Sequence, residues 1–130
     1  MSRIALAVDE DAGTLRLYQL LLEQAGMTVL TADNGLEAIR IAVDRRPSLM
    51  ITDMGLPLVS GLEVIRQMRH HRALDHVAAI VVTAAANPEN ERLSFEAGCD
   101  AFLAKPVPVL DFLAAVRRCL ANEDERGAQL

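Results

Sequence analysis

Five short aliphatic runs recur along the chain, and each gives way to a longer stretch whose apolar residues step by three and four. Arg3 to Val8, Thr28 to Ala32, Leu49 to Thr52, Ala79 to Thr83 and Ala101 to Ala104 read as strands, being brief, continuous and aliphatic. The segments between them read as helices. Leu15, Tyr18, Leu22 and Ala25 make the stripe of the first, which Gly26 stops, and Ala38, Ile39, Ala42 and Val43 that of the second, which ends at the Arg45-Arg46-Pro47 breaker. The third helix is expected from Gly61 to His70. The fourth runs from Pro88, a residue suited to a first turn, to Ala97, where Gly98 stops it. The fifth carries Val109, Phe112, Leu113, Val116 and Leu120 on one face.

Strands joined through helices need right-handed crossovers, and those crossovers put helices on both faces of a parallel sheet. The expected fold is therefore α/β, a doubly wound five-stranded parallel sheet with five helices and strand order 2-1-3-4-5. In that order the winding reverses between strands 1 and 3, and ligands bind outside the carboxyl ends of the strands there. The residue content agrees: 52% is hydrophobic but only 3% aromatic, with no Trp, so Leu, Ile, Val and Ala must build strands buried on both faces. A chain of 130 residues supports one core. We assign it to residues 1–121 and expect 122–130, polar and carrying Glu123, Asp124 and Glu125, to be a flexible acidic tail.

Several functions are excluded at this level. The net charge of −5 argues against a general nucleic-acid grip. The first apolar run stops at Asp9, far short of a membrane span, and lacks the flanks of a signal peptide, so no membrane contact and a cytoplasmic location are expected. Cys99 and Cys119 have no ligand-like spacing and read as packed thiols of a reducing compartment. His70, His71 and His76 lack matched metal-ligand spacing, and Arg66, Arg69 and Arg72 suit the negative end of a helix.

The polar residues that remain gather where strands end. Asp9, Glu10 and Asp11 follow strand 1, Asp53 follows strand 3, Thr83 closes strand 4 and Lys105 follows strand 5. Parallel strands share a direction, so these ends converge on one edge although they are distant in sequence. Crowded acids raise one another's pKa unless a cation intervenes, and an all-oxygen cluster suits a hard ion such as Mg²⁺. A carboxylate, a divalent ion, a hydroxyl and an ammonium together can hold a phosphoryl group. Asp53 is the natural nucleophile, because an aspartate is already anionic near neutral pH and can form an acyl phosphate.

The pieces Ala7-Val8-Asp9-Glu10-Asp11, Ala32-Asp33-Asn34-Gly35-Leu36-Glu37-Ala38, Asp53-Met54-Gly55-Leu56-Pro57 with Gly61, Val82-Thr83-Ala84, Glu96-Ala97-Gly98-Cys99-Asp100-Ala101-Phe102 and Lys105-Pro106 resemble the receiver domain of two-component response regulators. The resemblance covers Ile4 to Leu120. It implies a flavodoxin-like three-layer sandwich, Asp53 as phosphoacceptor, and Mg²⁺ held by Asp9, Glu10, Asp53 and the backbone carbonyl of Gly55. Lys105 would contact the phosphoryl group, Thr83 would be the switch hydroxyl and Phe102 the aromatic that follows it. The Lys105–Pro106 bond would be cis. Glu10 stands where the family more often has Asp, and Phe102 where Tyr is common. Gly55 and Ala85 stand at two positions that influence acyl-phosphate hydrolysis in the family. Neither side chain can orient water, so a long-lived phosphorylated form is expected.

By the same resemblance the phosphodonor is a sensor histidine kinase or a phosphotransfer protein, and the modified surface, helix 4, strand 5 and helix 5, acts on a downstream output protein or a separate effector domain. Whether phosphorylation also drives a homodimer stays open, and the chain is expected to be a stand-alone module or a piece of a larger regulator. The receiver would be a signalling switch, not an enzyme, beyond its own phosphotransfer and slow dephosphorylation. An alternative is a haloacid dehalogenase-like metal-dependent phosphatase with Asp9 as nucleophile and Asp11 as acid/base. Its motif should continue to Thr or Val where Gly13 stands, and only Asp111 follows Lys105 before the tail. A flavin carrier is disfavoured by the lack of a Ser/Thr-Gly-rich loop after strand 1.

Overall fold

The computed structural model describes residues 3–128. Five strands, β1 (Ile4–Val8), β2 (Thr28–Ala32), β3 (Leu49–Thr52), β4 (Ala78–Thr83) and β5 (Ala101–Ala104), alternate with α1 (Ala12–Gln24), α2 (Gly35–Arg45), α3 (Gly61–His70), α4 (Pro88–Ala97) and α5 (Val109–Ala128). A single turn of 3₁₀ helix, Arg72–Leu74, precedes β4 and was not foreseen in the sequence. All strand pairs are parallel and their order is β2-β1-β3-β4-β5. This is the doubly wound sheet expected from the alternation.

Alternate residues of each central strand serve opposite layers, as the period of two requires. Ala79 and Val81 of β4 join Leu6, Val8, Met50, Val64, Ile65 and Met68 on the face covered by α2, α3 and α4. Ala78, Ile80 and Val82 join Ala5, Ala7, Ile51, Tyr18, Leu22, Phe112 and Val116 under α1 and α5. Every residue of β3 and β4 is buried, so both layers are continuous cores.

Side chains begin four of the helices. Asp11, Asn34, Ser60 and Asn87 each accept a hydrogen bond from a backbone N–H in the first turn, the usual work of such residues at this position. Gly98 closes α4 with φ +115°, a conformation that favours glycine. Helix α5 continues to Ala128, so no helix end marks the boundary expected at 121. The tail expected at 122–130 thus has helical backbone through Ala128, and positions 129–130 lie outside the described residues. Among the described residues no helix is long and apolar enough to cross a membrane.

Candidate phosphoacceptor site

Sheet hydrogen bonding runs one residue past three strands and thereby fixes the polar groups at their carboxyl ends. Asp9 N–H donates to the Ala32 carbonyl, Asp53 N–H to Val8 and Lys105 N–H to Thr83, at 3.2, 3.3 and 2.9 Å. Asp9, Asp53 and Lys105 are therefore extensions of β1, β3 and β5 and inherit the rigidity of the sheet. Their side chains meet. The Lys105 ammonium donates to Asp9 Oδ2 at 2.7 Å and to Asp53 Oδ2 at 2.8 Å. Asp9 is almost fully buried, whereas Asp53 is partly open to solvent.

Burial alone would depress the Lys105 pKa, but the hydrogen bonds it donates to Asp53 and Asp9 more than reverse it, so the ammonium is held above its ordinary value. The lysine is a fixed cation across the whole working range. A second acceptor oxygen of each carboxylate faces a backbone donor: Asp9 Oδ1 takes the Asp11 N–H at 2.9 Å, and Asp53 Oδ1 a long 3.4 Å contact from the Gly55 N–H.

Thr83 ends β4 with its side chain buried. Its hydroxyl oxygen accepts the Ala85 N–H at 3.1 Å, and the hydroxyl proton has no acceptor among the described residues. Phe102, on the edge strand, is half-buried and borders a cavity of about 320 Å³ with Pro88 and Glu91 of α4. Glu10 and Gly55 are exposed on this edge. The Lys105–Pro106 peptide bond is cis, as the resemblance implies.

Two glycines let the site close. A Cβ on Gly61 would lie 1.8 Å from the Asp53 carbonyl oxygen, so the start of α3 can press against the Asp53 backbone only without a side chain. Gly35, where a Cβ would meet the Val59 carbonyl at the same distance, does likewise for α2 and the loop after β3.

The donor set fits a hard divalent cation. Two carboxylates at the ends of different strands already share one positive atom, Lys105 Nζ, at 2.7 and 2.8 Å. Among the described residues no three His, Cys, Asp or Glu side chains gather as ligands. Mg²⁺ does not need that many, since it commonly takes one or two carboxylates and completes its shell with carbonyls, phosphate oxygens and water.

Some features were not read from the sequence. Tyr18 stacks on Phe112 with ring centroids 5.2 Å apart, and Tyr18 and Lys105 border a cavity of about 410 Å³ with Leu17 and Val107. The apolar stripe of α1 marked Tyr18 as core but said nothing of its neighbour on α5. The phosphatase alternative finds no support, because Asp11 Oδ2 is turned onto the Thr14 N–H and hydroxyl at 2.9 and 2.7 Å, away from the role of an acid/base.

The geometry of an acid-lined, lysine-bridged cup at the strand ends of a 2-1-3-4-5 sheet defines a class. Residues 5–117 match the response regulator receiver domain, and the chain belongs to that family. It is 33% identical over 122 residues to the polar-differentiation response regulator DivK of Brucella anthropi, covering 94% of this chain and 99% of that protein. Among solved structures it superposes on a CheY-like response regulator receiver domain protein of Methanospirillum hungatei with a TM-score of 0.90 and 28% identity, over 97% of this chain and 99% of the other. The chemotaxis response regulator CheY4 of Vibrio cholerae gives 0.85 and 25%, over 92% and 99%. The protein is a phosphoacceptor receiver domain of two-component signalling.

Proposed function

We propose that Asp53 is the acceptor residue and that Asp9, Asp53 and the Gly55 carbonyl hold Mg²⁺, with Glu10 reaching the ion directly or through water. The observation that carries this reading is the single ammonium of Lys105 bonded to Asp9 and Asp53, side chains that stand 96 and 52 residues away in sequence. An Asp53 carboxylate oxygen attacks the phosphorus of a phosphohistidine, the P–N bond breaks, the electron pair leaves with the imidazole, and an acyl phosphate remains. When bound, the metal supplies positive charge to the phosphoryl oxygens. Lys105 turns its ammonium from the carboxylates to the phosphoryl group. Thr83 donates its uncommitted proton to a phosphoryl oxygen.

The new charge shifts an existing equilibrium between two surface states. Movement of Thr83 toward the phosphoryl group vacates space at the end of β4, and Phe102 follows by turning into the cavity beside α4. The altered face, α4, β5 and α5, contacts a downstream output protein or an effector domain. The donor is a sensor histidine kinase or a phosphotransfer protein, and the location is cytoplasmic. The domain catalyses only its own phosphotransfer and a slow dephosphorylation. Gly55 and Ala85 flank the acceptor without a side chain able to orient water, so the phosphorylated form is long-lived; a half-life of seconds contradicts this. Incubation with acetyl phosphate and Mg²⁺, read by intact mass, tests the acceptor: wild type gains one phosphoryl mass and Asp53→Asn gains none. Equal labelling of both would overturn the assignment.

A further inference from the structure

We propose that Asp11 is a positioning residue for the metal-binding carboxylate of Asp9, acting through the cap it places on α1. The inference rests on the Mg²⁺ reading above. Asp9 has two carboxylate oxygens with different duties: Oδ2 faces Lys105 and the mouth of the cup, and Oδ1 accepts the backbone N–H of Asp11 at 2.9 Å. That N–H and the Lys105 ammonium hold the two oxygens from opposite sides, and together they fix the plane of the carboxylate. The direction of the N–H depends on the turn between β1 and α1, where Asp11 sits with φ −90° and ψ 117°.

The turn is held by the Asp11 side chain. Oδ2 accepts both the Thr14 N–H and the Thr14 hydroxyl, and the Asp11 carbonyl accepts the Leu15 N–H at 3.1 Å. A helix start without its capping side chain frays, because its first N–H groups lose their acceptor. Fraying here would swing the Asp11 N–H away from Asp9 Oδ1 and leave the buried carboxylate held by Lys105 alone, able to pivot about Oδ2 and turn its other lone pairs off the metal. Groups that orient a metal ligand without touching the metal commonly govern affinity. The role belongs to the capping oxygen and not to the negative charge, since that oxygen points at Thr14. An uncharged capping residue should therefore serve equally well.

Mg²⁺ titrations followed by the amide NMR shift of Gly55 test this without any phosphorylation, with melting temperature recorded for each protein. Asp11→Ala is expected to weaken Mg²⁺ binding by roughly tenfold, while Asp11→Asn and Asp11→Ser, which restore a cap, stay within about twofold of wild type. Asp11→Gly, which a helix start accepts at little cost in stability, is expected to bind Mg²⁺ between the alanine and asparagine variants and keeps the comparison available should the alanine variant be too unstable to titrate. Equal weakening in Asp11→Asn and Asp11→Ala would make the charge the cause and overturn the proposal. So would a lowered melting temperature in Asp11→Ala with unchanged affinity, which marks a purely structural cap. Absence of Mg²⁺ binding in wild type itself would overturn the metal reading first and this inference with it.

Discussion

Three groups near the core hold their protons more tightly in the fold than outside it. Burial, aided by the neighbouring Asp100, pushes the Cys99 thiol from 9.0 up to about 12, and burial pushes the Tyr18 phenol from 10.0 up to about 12 against the pull of Lys105. Lys105 is raised above its ordinary 10.5 by its two carboxylates. A raised folded pKa contributes stability that is complete below the unfolded value and is lost as pH rises through the folded one. The urea midpoint is therefore expected to begin falling near pH 9 and to continue down to about pH 12, with a shallower slope in Cys99→Ala. A midpoint flat across that window would contradict the burial of these groups. Thiol chemistry reads the same feature at lower pH: Cys99 and Cys119 are both buried, so a disulfide reagent near neutral pH should label neither in the native protein and both in denaturant. Rapid native labelling of Cys119 would mean that the layer under α1 and α5 opens readily, and of Cys99 that the layer on the other face does.

At the scale of elements, two contacts decide how α3 and α4 meet the sheet. The first is the approach of α3 to Asp53, which Gly61 permits. Gly61→Ala is expected to cost about 3 kcal/mol, because the Cβ would meet backbone and not a yielding side chain, whereas Gly55→Ala, with open space around it, should be close to neutral. Matching denaturation midpoints for the two variants would refute the close approach. The second is Arg69 near the end of α3. Its guanidinium donates to the carbonyls of Gly98 and Asp75 and to the Asp100 carboxylate, and that carboxylate also accepts the Ala79 N–H. It ties the exits of α3 and α4 to the entry of β4. Arg69→Ala should lower stability by about 3 kcal/mol, and Arg69→Lys should recover little of it, since one ammonium cannot span the same forked set of acceptors. Full recovery with lysine would reduce the contact to simple charge.

Arg69 also shows where sequence reading stops. Its position at a helix end suggests a cation serving the helix dipole, because the Gly98 and Asp100 acceptors lie 29 and 31 residues away and no local period connects them. The strands and helices were legible for the opposite reason: a buried strand must be aliphatic along its length, and a helix on its face must repeat by three and four. β4 begins one residue earlier than expected, and the 3₁₀ turn before it carries too short a pattern to register.

For the molecule as a whole, the meeting of Asp9, Asp53 and Lys105 in the candidate site was legible because topology converts sequence distance into proximity. Asp9, Asp53, Thr83 and Lys105 each follow or close an aliphatic run, and a parallel sheet brings every such position to one edge. Asp11 could be read as a cap of α1 from its place before the helix, but the direct bridge from Lys105 to both acids and the Asp11 N–H that seats Asp9 were not legible, since both depend on side-chain rotamers that no residue pattern encodes. The most direct test of the account is a crystal structure with Mg²⁺ and beryllofluoride, a phosphoryl mimic. We expect the beryllium on an Asp53 carboxylate oxygen, Lys105 and Thr83 within hydrogen-bond distance of fluorine, and the metal on Asp9, Asp53 and the Gly55 carbonyl. A beryllium adduct on Asp9, or Lys105 left on the carboxylates with the mimic bound elsewhere, would contradict it.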